Sequence, residues 1–212
     1  MKKYINNIIE VAHTMALRYF VRKKLPKGHL GKNSHIHTPS LVSEGSLQNI
    51  YLGDNCNIDW NNVLYCSNAK FIMKDFSGAA VGLTVVTGNH SLKPNERVDR
   101  ETNNDNLEGK DIIIEEEVWI AANVTLLAGA HIGRGAIVGA GSVIRNCSVP
   151  PYSIVCGNPA KVIGFKWSVE EILEHETLFY KEEDRILSQI IKDNYDKYFL
   201  KRFKDIKSFV KL

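Results

Sequence analysis

Aliphatic residues recur every six positions through the second half of this chain. An amphipathic helix repeats every 3.6 residues and a half-buried strand every two, so neither element explains the spacing. A period of six predicts a chain that turns a corner every six residues and points its first and fifth residues inward. The first positions are Ile114, Ile120, Leu126, Ile132, Val138 and Ile144, and the fifth are Val118, Val124, Ala130, Ala136, Ser142 and Ser148.

Three such sides form one triangular coil of about 18 residues, and coils stack at the strand spacing of roughly 4.8 Å. The pattern therefore predicts a mainly β protein built as a parallel β-helix. The stretch HIGRGAIVGAGSVI at residues 131–144 contains Gly-x-Gly, the beginning of a dinucleotide-binding loop. It lacks the preceding strand, the following helix and the complete G-x-G-x-x-G of that loop, so its glycines are predicted to form corners.

The period extends upstream, with one change of phase and one interruption. Its first positions there are Leu52, Ile58 and Leu64, then Met73, Ala79 and Val85. A degenerate coil is expected to begin near Ser34. Residues 91–111 have no aliphatic spacing and many charges, which predicts an excursion loop from one corner.

Both flanks lack the repeat. Residues 2–24 have helical apolar spacing and end in a basic run before Pro26. Residues 168–211 predict one or two amphipathic helices, and Ser168 with Glu171 three residues later forms a capping box. The predicted domains are an N-terminal helical and basic segment (1–33), a β-helix (34–164) and a C-terminal helical extension (165–212).

Composition adds few constraints. A net charge of +3 over 212 residues does not indicate nucleic-acid binding. The four cysteines form no CxxC pair, which favours free thiols in a reducing compartment. The N-terminus does not resemble a signal peptide, and no apolar run approaches the roughly 20 residues that span a bilayer. We therefore expect a cytoplasmic protein.

Four elements in order resemble the left-handed β-helix acyltransferases: TGNHSL, the excursion loop, VWIAANVTLLAGAHIGRGAIVGAGSVI and VPPYSIVCGNPAKVI. The resemblance covers residues 50–164 and is closest to galactoside and maltose acetyltransferases and to O-acetyltransferases of capsular or lipopolysaccharide synthesis. It implies a left-handed parallel β-helix, a homotrimer and acetyl-coenzyme A as cosubstrate. The implied acceptor is a sugar hydroxyl, in surface polysaccharide synthesis.

The resemblance also implies site residues. His90 matches the histidine that takes the proton of the acceptor hydroxyl, a role that suits imidazole near neutral pH. Asp59 falls where sugar acetyltransferases carry an acceptor-binding Asn, and Trp119 matches the tryptophan beside the catalytic histidine. The implied coenzyme contacts are Ala122, Ala140, Arg145, Asn146 and Lys161.

The chain departs from the family pattern at some of these positions. Ala121 stands where Gly is usual, and IRNCSVPP replaces a common Thr-Lys-Asp turn. Lys161 stands where Arg often binds the phosphates, so it would provide a point charge and not a bidentate contact.

Other interpretations remain open at this stage. The acceptor could be an antibiotic, a serine or an amino sugar, or the chain could be a non-catalytic trimeric scaffold. A zinc carbonic anhydrase would need three histidine ligands, and no such set is apparent among His35, His37, His90 and His131, so no metal is expected. The basic N-terminal residues, among them Arg18 and Arg22, could contact anionic lipid or form a solvated face.

Overall fold

A computed structural model describes residue 12 and residues 25–37, 40–43, 45–88 and 110–210. The predicted N-terminal helix lies outside the described residues, apart from Ala12, which is helical. His90 and nearly all of the predicted excursion loop also lie outside them.

The described chain winds into about five triangular coils of short strands. In chain order the strands are β1 (His35–Ile36), β2 (Ser40–Val42), β3 (Ile50–Leu52), β4 (Asn57–Ile58), β5 (Asn62–Tyr65), β6 (Phe71–Met73), β7 (Gly78–Ala79), β8 (Thr84–Val86), β9 (Ile112–Ile114), β10 (Trp119–Ile120), β11 (Thr125–Leu127), β12 (His131–Ile132), β13 (Ile137–Val138), β14 (Val143–Ile144) and β15 (Ser148–Val149). Every third strand pairs in parallel, which makes the three flat faces of a β-solenoid.

We number these faces in chain order. Face 1 contains β1, β4, β7, β10 and β13; face 2 contains β2, β5, β8, β11 and β14; face 3 contains β3, β6, β9, β12 and β15. The register is regular across the excursion, because Thr84 on β8 pairs with Thr125 on β11. Side chains at equivalent positions therefore stack in columns along each face.

The core is the column of aliphatic residues that the six-residue period predicts. Every first-position residue named above is at most 4% exposed, and so are the fifth-position residues from Val118 to Ser142. Ser148 is the exception, because it is exposed and pairs with the outward His131. The corner before β15 is one residue shorter than the pattern, so Ser148 falls at the outward position of His131 and Val149 takes the inward first position opposite Ile132.

The first coil begins at His35, next to the buried Ser34, which confirms the degenerate coil. Its corners are longer than those of later coils. Ile36 and Ile58, which pair across the first coil, are 22 residues apart, whereas Ile120 and Val138 are 18 apart. The extra residues, which include a 3₁₀ turn at Ser46–Asn49, obscure the period in the sequence.

A hairpin and helices follow the last coil. Strand β16 (Ser153–Gly157) continues face 1, and β17 (Ala160–Phe165) pairs with it antiparallel. The extension has three α-helices, α1 (Val169–Phe179), α2 (Ser188–Tyr198) and α3 (Phe203–Val210), so the prediction of one or two was wrong. 3₁₀ turns at Glu182–Asp184 and Leu200–Arg202 separate them.

The predicted capping box is confirmed, with Ser168 and Glu171 bonding each other's backbone amides. Within the described ranges, no helix is long and apolar enough to cross a lipid bilayer.

Candidate functional site

A short polar row lies at the end of face 1 on the first two coils. Parallel pairing of β1 with β4 brings His37 beside Asn57 and Asp59, although 20 residues separate His37 from Asn57. The Asn57 amide donates to Asp59 Oδ1 at 2.9 Å, and its Oδ1 lies 2.9 Å from His37 Nε2. These contacts orient the Asp59 carboxylate.

The same corner carries the exposed indole of Trp60, and a buried side chain, Asn62, holds its backbone in place. The Trp60 side chain is 41% exposed, and its ring centroid lies 5.1 Å from that of His37. Buried Asn62 donates to the Asp59 carbonyl and accepts from Leu83 N, which ties this corner to the next coil. Carboxylate, imidazole and indole groups together suit a hydroxyl-rich ligand.

Trp119 lies on the outside of face 1, half exposed. Its ring covers Gly78 on the preceding coil, where a Cβ would come within 3.2 Å of Trp119 Cζ3. Gly78 itself pairs with Asn57. Trp119 and Asp59 therefore belong to the same side of the solenoid, two coils apart.

The predicted coenzyme residues fall into two groups. Ala122 and Ala140 lie at the corner between faces 1 and 2, on successive coils joined by the bond from Gly141 N to Ala122 O at 2.9 Å. The second group, Arg145, Asn146 and Lys161, lines a cavity of about 670 Å³ at the C-terminal end of the solenoid.

Local backbone geometry explains how Asn146 fits beside that cavity. Gly129 has φ +81°, and a Cβ there would come within 2.2 Å of Asn146 Oδ1. Glycine at this corner therefore makes room for the Asn146 side chain on the next coil. The structure brings Arg145, Asn146 and Lys161 together and leaves Ala122 and Ala140 outside the cavity lining.

His90 cannot be placed, because it lies outside the described residues. The described segment that precedes His90 ends at Gly88, which packs against the Asn68 side chain at the corner between faces 2 and 3. Asp59 lies at the opposite edge of face 2, where face 1 ends.

A charged row crosses face 3 beside a smaller cavity of about 340 Å³. Glu115 lies 2.8 Å from His131 Nε2 and 2.5 Å from Lys74 Nζ. The bond to His131, with help from Lys74, outweighs burial and lowers the pKa of Glu115 to about 2. Glu115 is therefore a carboxylate at neutral pH, and its role in the row is structural.

A buried network joins the solenoid to α1. Glu176 is 1% exposed and receives bonds from Arg134 at 3.0 Å, Tyr152 at 2.5 Å and Ile186 N at 2.8 Å. Burial and the Glu176 carboxylate raise the pKa of Tyr152, which therefore remains a neutral donor. In the described residues no three His, Cys, Asp or Glu side chains converge to hold a metal.

Comparison with known proteins agrees with this architecture. The family described as bacterial transferase hexapeptide (six repeats) matches residues 111–146. A hexapeptide-repeat-containing acetyltransferase from Vibrio cholerae O1 biovar eltor, solved with acetyl coenzyme A, is 31% identical, with 73% of this chain and 79% of that chain covered at a TM-score of 0.60.

The chain belongs to the hexapeptide-repeat acetyltransferase family. Repeats of this type are typical of the left-handed β-helix, as the sequence resemblance implied. No curated protein matches the chain.

Two more distant structures share the fold. A maltose O-acetyltransferase from Clostridium difficile 630 is 22% identical, covering 76% of this chain and 88% of that chain at a TM-score of 0.57. A galactoside acetyltransferase in complex with coenzyme A is 19% identical, covering 83% and 87% at the same TM-score.

Within this acetyltransferase, several residues of the candidate sites were not predicted from sequence. His37 joins the polar row only through coil stacking, and Tyr198 and Arg202 reach the large cavity only because the C-terminal segment folds back. The six-residue register could have placed Asn57 next to Asp59 on the outside of face 1. No comparable signal exists for Arg202, which lies outside the repeat.

Proposed function

We propose that the protein is an acetyl-coenzyme A-dependent O-acetyltransferase that acts on a sugar hydroxyl. The observation that carries the proposal is the convergence of Arg145, Asn146 and Lys161 on one cavity in a chain of this family. Two cations and an amide suit the phosphates of coenzyme A. The cosubstrate supplies the acetyl thioester.

His90 is the general base of this proposal. It accepts the proton of the acceptor hydroxyl as that oxygen attacks the thioester carbonyl, so that a carbon–oxygen bond forms and the carbon–sulfur bond breaks. The His90 imidazolium then gives that proton to the leaving thiolate, so that free coenzyme A leaves and the base is regenerated. A positioned base of this kind contributes about 10²- to 10⁴-fold to the rate.

The acceptor is held at the polar row near Asp59. The carboxylate is held by the Asn57 amide and can accept bonds from vicinal hydroxyls, while the exposed Trp60 ring offers an apolar surface for a sugar. Trp119 extends this surface on the same face. Maltose and galactoside acetyltransferases are among the structures of similar fold, which supports a sugar acceptor.

The active unit of the proposal is a homotrimer. The chain leaves the described solenoid toward His90 at one edge of face 2, whereas Asp59, Ala122 and Ala140 lie at the other edge. Face 2 also presents apolar side chains, including Leu41, 57% exposed, and Tyr65, 44% exposed. If three copies of the chain pack around a three-fold axis, face 2 is covered. One edge of face 2 in one chain then meets the other edge of face 2 in its neighbour.

The cellular setting of the proposed reaction follows from the family resemblance and the C-terminal extension. The resemblance to capsular and lipopolysaccharide O-acetyltransferases, together with the large C-terminal extension, favours surface polysaccharide synthesis in the cytoplasm. Any weak membrane contact would come from the basic N-terminal residues, which lie outside the described chain.

An amine acceptor is the second candidate. An N-acyltransferase from Bacillus cereus, solved with dTDP and coenzyme A, shares the fold at 20% identity and a TM-score of 0.53, with 70% of this chain and 90% of that chain covered. Amino sugars and antibiotics are therefore kept as competing acceptors.

An acceptor panel tests the proposal. Acetyl-coenzyme A is incubated with simple sugars, nucleotide sugars, their amino counterparts and aminoglycoside antibiotics, and thiol release is followed with mass detection of the product. We expect turnover with hydroxyl-only acceptors and a base-labile ester product. Turnover confined to amino acceptors, with a base-stable amide product, would replace the O-acetyl assignment.

A further inference from the structure

The large cavity lies where the solenoid ends and the C-terminal segment folds back. Its walls come from β14, β15 and the β16–β17 hairpin, and include the aliphatic side chains of Ile144, Val149 and Val162. Tyr198, at the end of α2, and Arg202, in the following 3₁₀ turn, complete the lining. At about 670 Å³ the space accommodates a nucleotide-sized group.

Three cationic side chains border this cavity: Arg145, Lys161 and Arg202. Among the described residues that line it there is no aspartate or glutamate. Within the described chain none of the three forms an ion pair, whereas the partly buried Arg134 bonds both Glu116 and Glu176. Like charges gathered without a counter-ion repel one another, so the cavity is electrostatically suited to an anionic ligand.

Arg202 is held on a well-packed element. Its backbone amide bonds Phe199 O at 3.1 Å. The Phe199 ring packs between Phe165 of β17 and Phe203 of α3, at centroid distances of 6.4 and 5.7 Å, and Ile206 is buried one turn later. The guanidinium therefore extends from a fixed backbone position.

We propose that Arg202 is a coenzyme A phosphate ligand, which the C-terminal extension adds to the cations of the solenoid and hairpin. The inference rests on the proposed acetyl-coenzyme A dependence. The ligand chemistry follows from the lining: aliphatic walls suit the adenosine portion, and separated cations suit its 3′-phosphate and diphosphate. Arg202 can bind phosphate through two parallel N–H bonds, which Lys161 cannot.

The extension thereby gains a role in substrate binding besides covering the end of the solenoid. It joins the coenzyme site to the helices, so that the site is complete only when α2 and α3 are docked. Tyr198 contributes an aromatic wall to the same site and contacts the hydrophobic core.

Calorimetric binding of coenzyme A to the full-length protein tests this proposal without any acceptor. Wild type, Arg202→Gln, Arg202→Lys and Lys204→Gln are titrated with coenzyme A and with dephospho-coenzyme A. Lys204 is the matched control, because it is exposed two residues away and does not line the cavity. Thermal unfolding of each variant verifies that the fold is intact.

We expect Arg202→Gln to weaken coenzyme A binding about tenfold, Arg202→Lys to restore most of it, and Lys204→Gln to change it less than about twofold. A loss confined to coenzyme A assigns Arg202 to the 3′-phosphate. An equal loss with dephospho-coenzyme A assigns it to the diphosphate.

Two results would overturn the inference, and they are distinguishable. If wild type binds coenzyme A and Arg202→Gln binds it as tightly, Arg202 is not a ligand, although the proposed function stands. If wild type does not bind coenzyme A at all, the proposed function fails together with the inference.

Discussion

At the scale of single residues, backbone conformation at the corners decides which side chains the solenoid accepts. Gly135 and Gly141 occupy the same hexapeptide position at two consecutive corners of one coil, and both have φ +68°. A Cβ on Gly135 would come within 2.5 Å of the fully buried Tyr152 ring, whereas a Cβ on Gly141 would meet nothing within 4 Å. Alanine substitutions at these two positions therefore distinguish the cost of backbone strain from the cost of steric overlap.

Gly135→Ala is expected to lower the free energy of unfolding by about 3 kcal/mol, because strain and overlap add. Gly141→Ala is expected to lower it by about 1 kcal/mol, from the left-handed backbone alone. Urea unfolding followed by tryptophan fluorescence measures both. Equal losses in the two variants would show that the Tyr152 ring yields to the added methyl group.

The aliphatic period was sufficient to predict which residues point inward, because each inward position has the same local requirement in every coil. The period predicted wrongly that Ser148 points inward. One corner is a residue shorter than the others, which shifts the phase of the six-residue period and leaves no trace in the composition. His37 and Arg202 were not predictable for a different reason. Their neighbours are set by coil stacking and by chain reversal, and neither leaves a local pattern around the residue itself.

At the scale of elements, α1 is attached to the solenoid through charge as well as apolar contact. Glu176 accepts bonds from Arg134 and Tyr152, while Glu117 on the solenoid accepts from Tyr180 at 2.7 Å and pairs with His175 at 2.8 Å. Burial lowers the pKa of Arg134, but Glu176 and Glu116 outweigh it and raise the pKa overall. The capping box predicted the start of this helix from the sequence. The solenoid residues against which the helix packs could not be predicted.

Glu176→Gln is expected to lower the free energy of unfolding by about 3 kcal/mol, because it removes the charge opposite a partly buried guanidinium. Glu174→Gln, on the exposed side of the same helix, is expected to change it by less than about 0.5 kcal/mol. Urea unfolding reports the loss through Trp167, whose ring lies 4.9 Å from that of His175. A Glu176→Gln variant as stable as the Glu174→Gln variant would show that the network does not stabilise the docked helix.

At the scale of the whole molecule, the proposed trimer accounts for the exposed apolar face. Wild type is expected to elute with a light-scattering mass three times the 23.9 kDa of one chain. Tyr65→Arg places a charge on the exposed outside of face 2 and is expected to shift the protein toward monomer, with loss of transferase activity. Leu178→Arg, on α1 and 70% exposed, is the matched control and should remain trimeric.

A monodisperse wild-type monomer would contradict the trimer and the shared site. A trimeric Tyr65→Arg variant would place the subunit contact on another face. Neither result depends on knowing the acceptor.

The central claim is acetyl transfer from acetyl-coenzyme A with His90 as base, and the rate of His90→Ala with the best acceptor of the panel tests it most directly. We expect a loss of turnover of about a hundredfold or more. Coenzyme A affinity and the unfolding temperature should stay unchanged, because His90 acts on the acceptor proton. Full turnover in the His90→Ala variant would show that His90 is not the base.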